Sequence, residues 1–546
     1  MNKIVLFLLL FSFGVSYSQS DYLNYENLSK KLKEFESKSK FCTLKSIGKS
    51  SGGKDLWLLT LSETSNPKPA LLITAGIDGK HQAGTQIAVQ LIDQLLKSEN
   101  LSKLLSEKTL YFVPSVNPDA TDAFFGKLKM EKSGNATKTD DDRDGQIGED
   151  PFEDMNNDGL ITKIRIEDVT GEFIESPDDA RILVKADPTK NQVGKYLLLS
   201  EGFDNDKDGQ FNEDFSEGVT IDKNFTFDHP VFEKGSGVYV ASEPETRALL
   251  DFLYLNQNIY AVLTFGMHNN LSEAPKYDSK MASSRIIKSW LEKDVKTAEL
   301  VSTLYTEKAK LKDAPKSPMT RGNFAQTAYY HAGRFSFSTP GWWVPKEEVK
   351  KDSTQSKVEK SKKEMGESNP ELAYLKWATK ENIANVFVNW TAVKHPDFPN
   401  HKAEVGGFSP YVLNNPPTKY LEEATTKHKQ FVEDFLAAMP KIETNVPVVE
   451  KIQNDLYRVT IKVVNKGLLP TYSEIGDKIR FVSRMKTTLV LSKNQSMVSG
   501  RKINLRNSMQ PGETEEYSWL ISGSGKVTIQ IGCATTGVKE LIVELK

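Results

Sequence analysis

Residues 71–96 read LLITAGIDGKHQAGTQIAVQLIDQLL, and this stretch decides the fold. Its first residues, 71–73, are all apolar, which predicts a buried strand. Gly76 and Gly79 then predict a tight turn, and apolar residues spaced three and four apart within 87–96 predict a helix. A strand, a tight turn and a helix in succession place functional side chains at the carboxyl end of the strand in α/β proteins.

The turn between this strand and this helix carries an acidic residue and a histidine, Asp78 and His81. An acid and a histidine three positions apart on one turn can both face a single metal ion. In the alternative interpretation, Asp78 caps the turn and His81 is an ordinary polar residue near the start of the helix. These residues alone leave both interpretations open.

The segment GIDGKH at 76–81 resembles the zinc carboxypeptidases of the carboxypeptidase A/B type. In that family the segment reads G-[IV]-H-x-x-E, and its His and Glu are two zinc ligands. Asp78 stands here at the position of the family's His, and His81 stands at the position of its Glu. The resemblance implies an α/β fold with a mixed, mostly parallel sheet and helices on both faces.

Two further segments in the first part of the chain strengthen the resemblance. The segment SIGKSSGGKDLWLLTLSET at 46–64 predicts two strands joined by a Gly-rich turn, and it resembles the strand pair that opens the family. A strand predicted at 110–113 leads into PSVNPDA at 114–120, whose Asn-Pro-Asp matches the family's P-x-x-N-P-D-G. The order of these segments along the chain is that of the family.

The segment GVTIDKNF at 218–225 resembles the family's V-D-L-N-R-N-F, in which Asn and Arg bind the terminal carboxylate of the substrate. Alignment on Asn224 and Phe225 places Asp222 at the Asn position and Lys223 at the Arg position. Lys223 can attract a carboxylate as a point charge without the planar two-pronged contact of Arg, whereas Asp222 would repel it. Lys223 and Asn224 are therefore candidate substrate-binding residues, and the alternative is a salt-bridged turn.

The third zinc ligand and the catalytic Glu of the family fall on substituted positions. The strand predicted within 259–275 reaches Gly266 at the ligand position, and His268 lies two residues further on. Since residues two apart in an extended chain point the same way, His268 either reaches a metal from a shifted strand end or is a loop histidine. The segment at 321–343 resembles the one that carries the family's Glu, but that position is Pro340, which can neither accept a proton nor bind a metal.

Residues 131–222 interrupt the resemblance and are predicted to be an insertion. Three loops in it place acidic or amide side chains at alternate positions before a Gly, the arrangement that wraps a calcium ion. We expect structural calcium in the first and third loops because the second lacks an acid at the usual closing position, and the alternative is a solvated acidic run. The candidate calcium ligands are Asp140, Asp142, Asp144, Asp150, Asp154, Asn156, Asp158, Asp204, Asp206, Asp208 and Asp214.

The two ends of the chain predict features outside the carboxypeptidase-like domain, which we assign to 19–440. Residues 1–18 have the Lys, apolar run and small residues of a secretory signal peptide, so a periplasmic or extracellular location is expected. No later stretch approaches the roughly 20 apolar residues of a transmembrane helix. Residues 445–546 alternate between apolar and polar, which predicts a β-sandwich of immunoglobulin-like type without indicating its partner.

Composition bounds the remaining possibilities. A net charge of −2 over 546 residues gives no electrostatic indication of nucleic-acid binding. Cys42 and Cys533 either form one disulfide or remain two free thiols. Residues 346–366 are highly charged and predict a surface insertion.

Three functions follow from the resemblance and its substitutions. We favour a secreted pseudoenzyme that keeps the groove and binds peptide ends or cell-wall-like peptides, because loss of the base alone removes proton transfer worth roughly 10²–10⁴-fold. The alternative is an active metallohydrolase in which Asp78, His81 and His268 hold zinc and an unidentified acid is the base. A third possibility is a calcium-stabilised scaffold that attaches through its β-domain.

Overall fold

The computed structural model describes residues 15–16, 21–66, 68–140, 145, 147–148, 150–205, 207, 209, 211–212, 218–317, 319–346 and 369–546. The elements before residue 440 are β1 (Val15–Ser16), α1 (Tyr25–Lys38), β2 (Cys42–Lys49), β3 (Asp55–Leu61), β4 (Ala70–Ala75), α2 (Gln82–Leu96), α3 (Leu101–Glu107), β5 (Thr109–Val113), α4 (Ala120–Phe125), β6 (Lys163–Glu167), β7 (Phe173–Glu175), β8 (Leu183–Lys185), β9 (Tyr196–Ser200), α5 (Pro244–Leu255), β10 (Ile259–Phe265), α6 (Ser279–Ser283), α7 (Glu292–Thr303), α8 (Phe324–Tyr330), β11 (Phe335–Thr339), α9 (Pro370–Lys380), β12 (Ile383–Ala384), β13 (Phe387–Val393), β14 (Ala403–Phe408) and α10 (Lys419–Ala438). Short 3₁₀ turns lie at Pro188–Lys190 and Ile221–Lys223, and a π-helical turn lies at Leu304–Lys308.

The elements after residue 440 are strands with one short helix between them. They are β15 (Ile442–Thr444), β16 (Val448–Gln453), β17 (Leu456–Asn465), α11 (Glu474–Ile479), β18 (Met485–Val490), β19 (Ser496–Ser499), β20 (Ile503–Arg506), β21 (Thr514–Ser522), β22 (Gly525–Cys533) and β23 (Gly537–Leu545).

The central sheet has six strands in the order β11-β10-β4-β5-β3-β2. The neighbours from β11 to β5 pair in parallel, whereas β3 and β2 are antiparallel to their neighbours. The expectation of a mixed, mostly parallel sheet is confirmed. Because β4, β5, β10 and β11 run in one direction, the segments that follow them meet at one edge of the sheet.

Helices cover both faces of this sheet, as expected. All six residues of β4 are buried, and their side chains alternate between two cores. Leu71 and Ile73 belong to the core that includes α2 and α10, whereas Leu72 belongs to the core that includes α5 and Phe324. The continuous apolar run in the sequence therefore reflects a strand that is buried on both sides.

The region predicted to be an insertion forms a second sheet, which the sequence did not predict. Its order is β13-β14-β6-β9-β7-β8, so strands from the insertion pair with strands from 387–408. In this sheet Ile166 pairs with Ala403, and Ile164 pairs with Val405. All four side chains are buried. The insertion is therefore anchored to the later part of the chain by strand pairing and by an apolar cluster.

Two antiparallel sheets form the region after residue 440. One contains β15, β17, β21 and β19, with β16 alongside β17, and the other has the order β20-β18-β22-β23. Both sheets contribute to a single core that includes Val459, Trp519 and Ile529. The alternation of buried and exposed residues along β17 matches the alternating sequence on which the prediction of a β-domain rests.

A buried carboxylate joins this C-terminal region to the first domain. Asp294 on α7 is 1% exposed and accepts hydrogen bonds from the backbone N–H groups of Glu474 (2.7 Å) and Ile475 (3.0 Å). It also accepts one from the Tyr329 hydroxyl at 2.9 Å. Burial raises the pKa of Asp294 to about 7. In addition, Ser473 Oγ donates to the carbonyl oxygen of Gly333 at 2.7 Å.

Both cysteines are free and buried, which decides between the two alternatives left by the sequence. Burial raises the pKa of the Cys42 thiol to about 11, so this thiol is unreactive in the folded protein. In the part of the chain that the structure describes, no helix is both long enough and apolar enough to cross a membrane.

Candidate functional site

The candidate site lies where three neighbouring strands of the central sheet end. Asp78 and His81 follow β4, His268 follows β10, and Pro340 follows β11. Asp78 Oδ1 accepts a hydrogen bond from the backbone N–H of Lys80 at 2.8 Å. Burial raises the pKa of the Asp78 carboxyl, and the charge of Asp222 adds to the increase. The charge of Asp222 therefore acts on the Asp78 carboxyl.

His81 is buried against the end of β11. Its side chain is 2% exposed, and its Nε2 lies 2.9 Å from the carbonyl oxygen of Pro340. Because a carbonyl oxygen can only accept, Nε2 carries the proton of this contact. Burial lowers the pKa of His81 to about 4, so the ring is neutral at physiological pH. A protonated Nε2 has no lone pair to offer a metal.

The other ring nitrogen of His81 faces the first turn of α2. Among the described residues, Nδ1 has no hydrogen-bond partner. A Cβ placed on Gly84 would lie 2.9 Å from this nitrogen, so the ring packs directly on the backbone of Gly84. Nδ1 is therefore shielded by the helix that His81 precedes.

His268 pairs with Asp222, a contact that the sequence did not predict. Nε2 of His268 lies 3.0 Å from Asp222 Oδ2 and 3.1 Å from the Thr320 hydroxyl. The other oxygen of Asp222 accepts the backbone N–H of Phe324 at 2.9 Å, which fixes the carboxylate. The side chains of His268 and Asp222 are 7% and 13% exposed. Sequence reasoning identified Asp222 only as a charge that would repel a substrate, since no local pattern links it to a histidine 46 positions away.

The candidate substrate-binding residues have different environments. Lys223 is partly exposed, and its Nζ donates to the carbonyl oxygen of Lys234 at 3.1 Å. Asn224 is 0% exposed, and its Nδ2 donates to the carbonyl oxygen of Ser236 at 2.8 Å while its Oδ1 accepts the N–H of Glu243 at 3.1 Å. Asn224 thus joins two loops, whereas Lys223 remains accessible to a ligand.

A cavity of about 1010 Å³ lies next to the segment that follows His268. Its wall includes Asn269 and Asn270 directly after His268, and Gln326 and Tyr330 on α8. Trp290 also contributes, and its ring stacks on Tyr329 with centroids 4.1 Å apart. We call this space the main cavity.

Two of the three candidate zinc ligands direct a ring nitrogen at another group of the protein. A catalytic zinc site needs three protein ligands and an open position for water. His81 directs Nε2 at a carbonyl oxygen, and His268 directs Nε2 at a carboxylate. Gly266 has no side chain. Among the described residues, no group of three or more His, Cys, Asp or Glu side chains could hold a metal ion. The assignment of Asp78, His81 and His268 as zinc ligands stays a prediction.

The three acidic loops share one hydrogen bond and one backbone feature. In each loop the backbone N–H of the Gly donates to Oδ2 of the first Asp: Gly145 to Asp140 (3.1 Å), Gly159 to Asp154 (2.7 Å) and Gly209 to Asp204 (3.1 Å). The three glycines have φ values of +100°, +82° and +91°. Of the candidate ligands, Asp142, Asp144, Asp206, Asp208 and Asp214 lie outside the described residues.

Two fully buried carboxylates each accept hydrogen bonds from both ends of an acidic loop, one in the second loop and one in the third. Glu201 accepts the N–H groups of Met155 (3.0 Å) and Thr162 (2.7 Å), which are the second and ninth residues of the second loop. Asp150 accepts the N–H groups of the corresponding residues of the third loop, Asn205 and Asn212. Glu201 lies 39 residues after Thr162 in the sequence, so no loop spacing could have identified it.

Comparison with known proteins relates most of the first domain to a family. The family description "Zinc carboxypeptidase" matches residues 28–351, which is more than half of the chain. A second description, "Domain of unknown function (DUF8731)", matches residues 441–544.

Individual relatives match over shorter stretches. Carboxypeptidase SOL1 of Arabidopsis thaliana is 28% identical over 25% of this chain and 28% of that protein. Carboxypeptidase M of Mus musculus is 31% identical over 15% of this chain and 20% of that protein. The matched stretches thus span less than a third of these relatives. Among solved structures, the carboxypeptidase A from Helicoverpa armigera is 14% identical, covers 67% of this chain and 74% of that one, and has a TM-score of 0.38. On the family match, the chain belongs to the zinc carboxypeptidases.

Proposed function

We propose that this protein binds the carboxyl-terminal ends of peptides and does not hydrolyse them by the zinc chemistry of its family. The observation that carries the proposal is the 2.9 Å contact between His81 Nε2 and the carbonyl oxygen of Pro340. At these positions the family has a zinc ligand and the catalytic base, and here the two residues bond to each other. Without a base and a metal-bound water, the hydrolytic step has no proton acceptor.

The main cavity and Lys223 support peptide binding. A volume of about 1010 Å³ is at the upper end of the usual range for ligand pockets, roughly 300–1,000 Å³, and can hold several residues of an extended peptide. Lys223 aligns with the family's carboxylate-binding Arg, and its ammonium can attract a terminal carboxylate as a point charge. Asp222, which would repel that carboxylate, has its charge directed at His268.

The test compares each peptide with its carboxyl-terminal amide. Fluorescence anisotropy with pentapeptides that carry a neutral fluorophore should show tighter binding of the free acids, by about fivefold, as expected for one partly exposed ion pair. Lys223→Gln should remove this preference, whereas Lys402→Gln, at an 85% exposed lysine that does not line the cavity, should keep it. Equal binding of acid and amide by the wild type would refute the proposal.

We further propose that the acidic loops bind calcium, including the second loop, which lacks an acid at the usual closing position. The bond from Gly N–H to the first Asp is the same in all three loops, which supports the sharp turn that a calcium loop needs. The fully buried carboxylates of Glu201 and Asp150 supply negative charge next to the second and third loops. A bound cation would offset the cost of burying them.

The remaining assignments are also proposals. We propose a signal peptide at 1–18, of which only residues 15–16 are described, and hence export to the periplasm or the cell exterior. We propose domain boundaries at 19–440 and 445–546, with an immunoglobulin-like sandwich for the second domain. The two antiparallel sheets around one core support that class of fold. Edman sequencing of the exported protein, with Gln19 expected as the first residue, tests the processing site.

A further inference from the structure

A second groove lies next to the main cavity and shares part of its wall. Its volume is about 350 Å³, and Lys312 and Asp313 line both spaces. The rest of the groove comes from the segment after Pro340 and from the start of α10. We call it the lysine groove. A ligand that extends from the main cavity past Lys312 enters this groove directly.

Positive charge dominates the lysine groove. Five lysines and two acids line it, namely Lys310, Lys312, Lys346, Lys419, Lys427, Asp313 and Glu423. Both acids already have ion-pair partners, since Asp313 pairs with Lys346 at 3.6 Å and Glu423 pairs with Lys427 at 2.8 Å. Lys310 and Lys419 form no ion pair within the described residues, and both are exposed. Among the described residues, the groove therefore presents two lysines, Lys310 and Lys419, that have no acidic partner.

The loop between the two spaces has an unusual backbone. It begins with the π-helical turn at Leu304–Lys308 and then places Lys310 and Asp313 in the left-handed region, with φ of +61° and +63°. Neither residue is a glycine, so each costs free energy to hold there. Trp343 fixes the loop, since its Nε1 donates to the carbonyl oxygen of Lys312 at 3.1 Å. Strained, pinned backbone of this kind is concentrated at binding sites.

Aromatic rings line the groove beside the lysines. Trp342 packs on Trp377 with ring centroids 5.0 Å apart, and Lys419 lies over the ring of Tyr420 at 4.8 Å. Trp342 and Trp343 are both half-buried, so a ligand in the groove changes their surroundings. Ligand binding can therefore be followed by tryptophan fluorescence.

We propose that the lysine groove binds acidic side chains of the same peptide whose carboxyl end occupies the main cavity. This inference rests on the proposed function and narrows its ligand class to peptides with Asp or Glu upstream of their last residues. Charge complementarity and the shared wall at Lys312 support this occupant. The chain's own segment at 347–368 carries as many acidic as basic side chains, so its charge does not match the groove.

The test uses heptapeptides with a free carboxyl end, a neutral amino-terminal fluorophore and a Glu pair moved stepwise from the third to the sixth position from the end. The matched peptides carry a Gln pair. At low salt we expect the best Glu peptide to bind about fivefold to tenfold more tightly than its Gln partner and to alter tryptophan fluorescence. The advantage should fall several-fold in 0.5 M NaCl, since salt screens exposed charges.

Two double variants locate the effect. Lys310→Gln with Lys419→Gln should abolish the Glu advantage and leave the affinity for the Gln peptide unchanged. Lys402→Gln with Lys486→Gln makes the same change in net charge elsewhere and should keep the advantage.

Four results would overturn the inference. Equal binding of Glu and Gln peptides by the wild type would do so while leaving the proposed function intact. A Glu advantage that survives loss of Lys310 and Lys419 would also overturn the inference. The same holds if tryptophan fluorescence responds to an acidic polysaccharide, such as polygalacturonate, but not to the Glu peptide. Absence of binding by either peptide would remove the proposed function and the inference together.

Discussion

Replacing Asp294 by Ala should loosen the contact between the first domain and the C-terminal sheets. The carboxylate is 1% exposed and accepts three hydrogen bonds, from two backbone N–H groups at the start of α11 and from the Tyr329 hydroxyl. The variant would leave these three donors buried without an acceptor. At about 1–3 kcal/mol for each, we expect a loss of about 3–9 kcal/mol in the free energy of unfolding. That loss is a large part of the total stability of a typical protein, about 5–15 kcal/mol.

The assay is urea denaturation at pH 7, followed by circular dichroism and tryptophan fluorescence. The control is Asp251→Ala, at an exposed position on α5, which should change the free energy of unfolding by less than about 0.5 kcal/mol. Limited proteolysis should also cleave the Asp294 variant between the domains sooner than the wild type. A loss below about 1 kcal/mol would refute the reasoning.

The same carboxyl predicts a pH dependence of stability. Since burial raises the pKa of Asp294 to about 7, the folded state keeps a proton that the unfolded carboxyl releases near pH 3.8. The part of the stability that depends on this proton is therefore full below about pH 4 and is lost as the pH rises through 7, by about 4 kcal/mol for three pKa units. Plots of the free energy of unfolding against pH for the wild type and for Asp294→Asn should therefore diverge by this amount. Parallel curves between pH 4 and 8 would contradict it.

Three further predictions follow. Removal of calcium with EGTA should lower the melting temperature by several degrees, and added calcium, but not magnesium, should restore it; an unchanged melting temperature would argue against bound calcium. Asn224→Leu should destabilise the protein by about 2–4 kcal/mol in urea denaturation, because the hydrogen bonds between two loops are lost; a loss below about 1 kcal/mol would contradict a structural role. Maleimide, measured by mass, should label Cys42 and Cys533 only after unfolding, and rapid labelling of the native protein would contradict their burial.

Much of the central domain follows from local patterns in the sequence. The apolar run at 71–73 predicts β4, and the helical spacing of apolar residues after Gly79 predicts α2. Both predictions work because the buried side of an element determines which nearby positions in the sequence are apolar. The paired strands β2 and β3 were predicted for the same reason. The strand ends that gather Asp78, His81 and His268 follow from the parallel order of the sheet.

Contacts between distant residues could not be predicted in this way. The insertion contributes β6 to a sheet with β14, and Ile166 meets Ala403 across more than 200 residues. Short strands such as β7 and β8, of three residues each, carry too few alternating positions for a period to be recognised. A series of Asp-rich loops indicated cation binding but not the sheet that holds the loops in place.

The candidate site shows the same limit. Position by position, the family pattern located Asp78, His81 and Pro340, and it gave no indication that His81 bonds to the carbonyl of Pro340. The pairing of His268 with Asp222 also depends on how two strand ends meet in space. Residue types at family positions therefore indicated substituted site residues, whereas only the structure revealed the contacts that these residues make.

The central claim is that the position of the family's zinc is closed by contacts within the protein. The most direct test is metal content by mass spectrometry of the mature protein, purified without tags or added metal, together with His81→Ala. We predict less than 0.1 zinc per chain, roughly the background of a protein without a zinc site, in both proteins, and calcium that the substitution does not change. One zinc per chain in the wild type, lost in His81→Ala, would contradict the account.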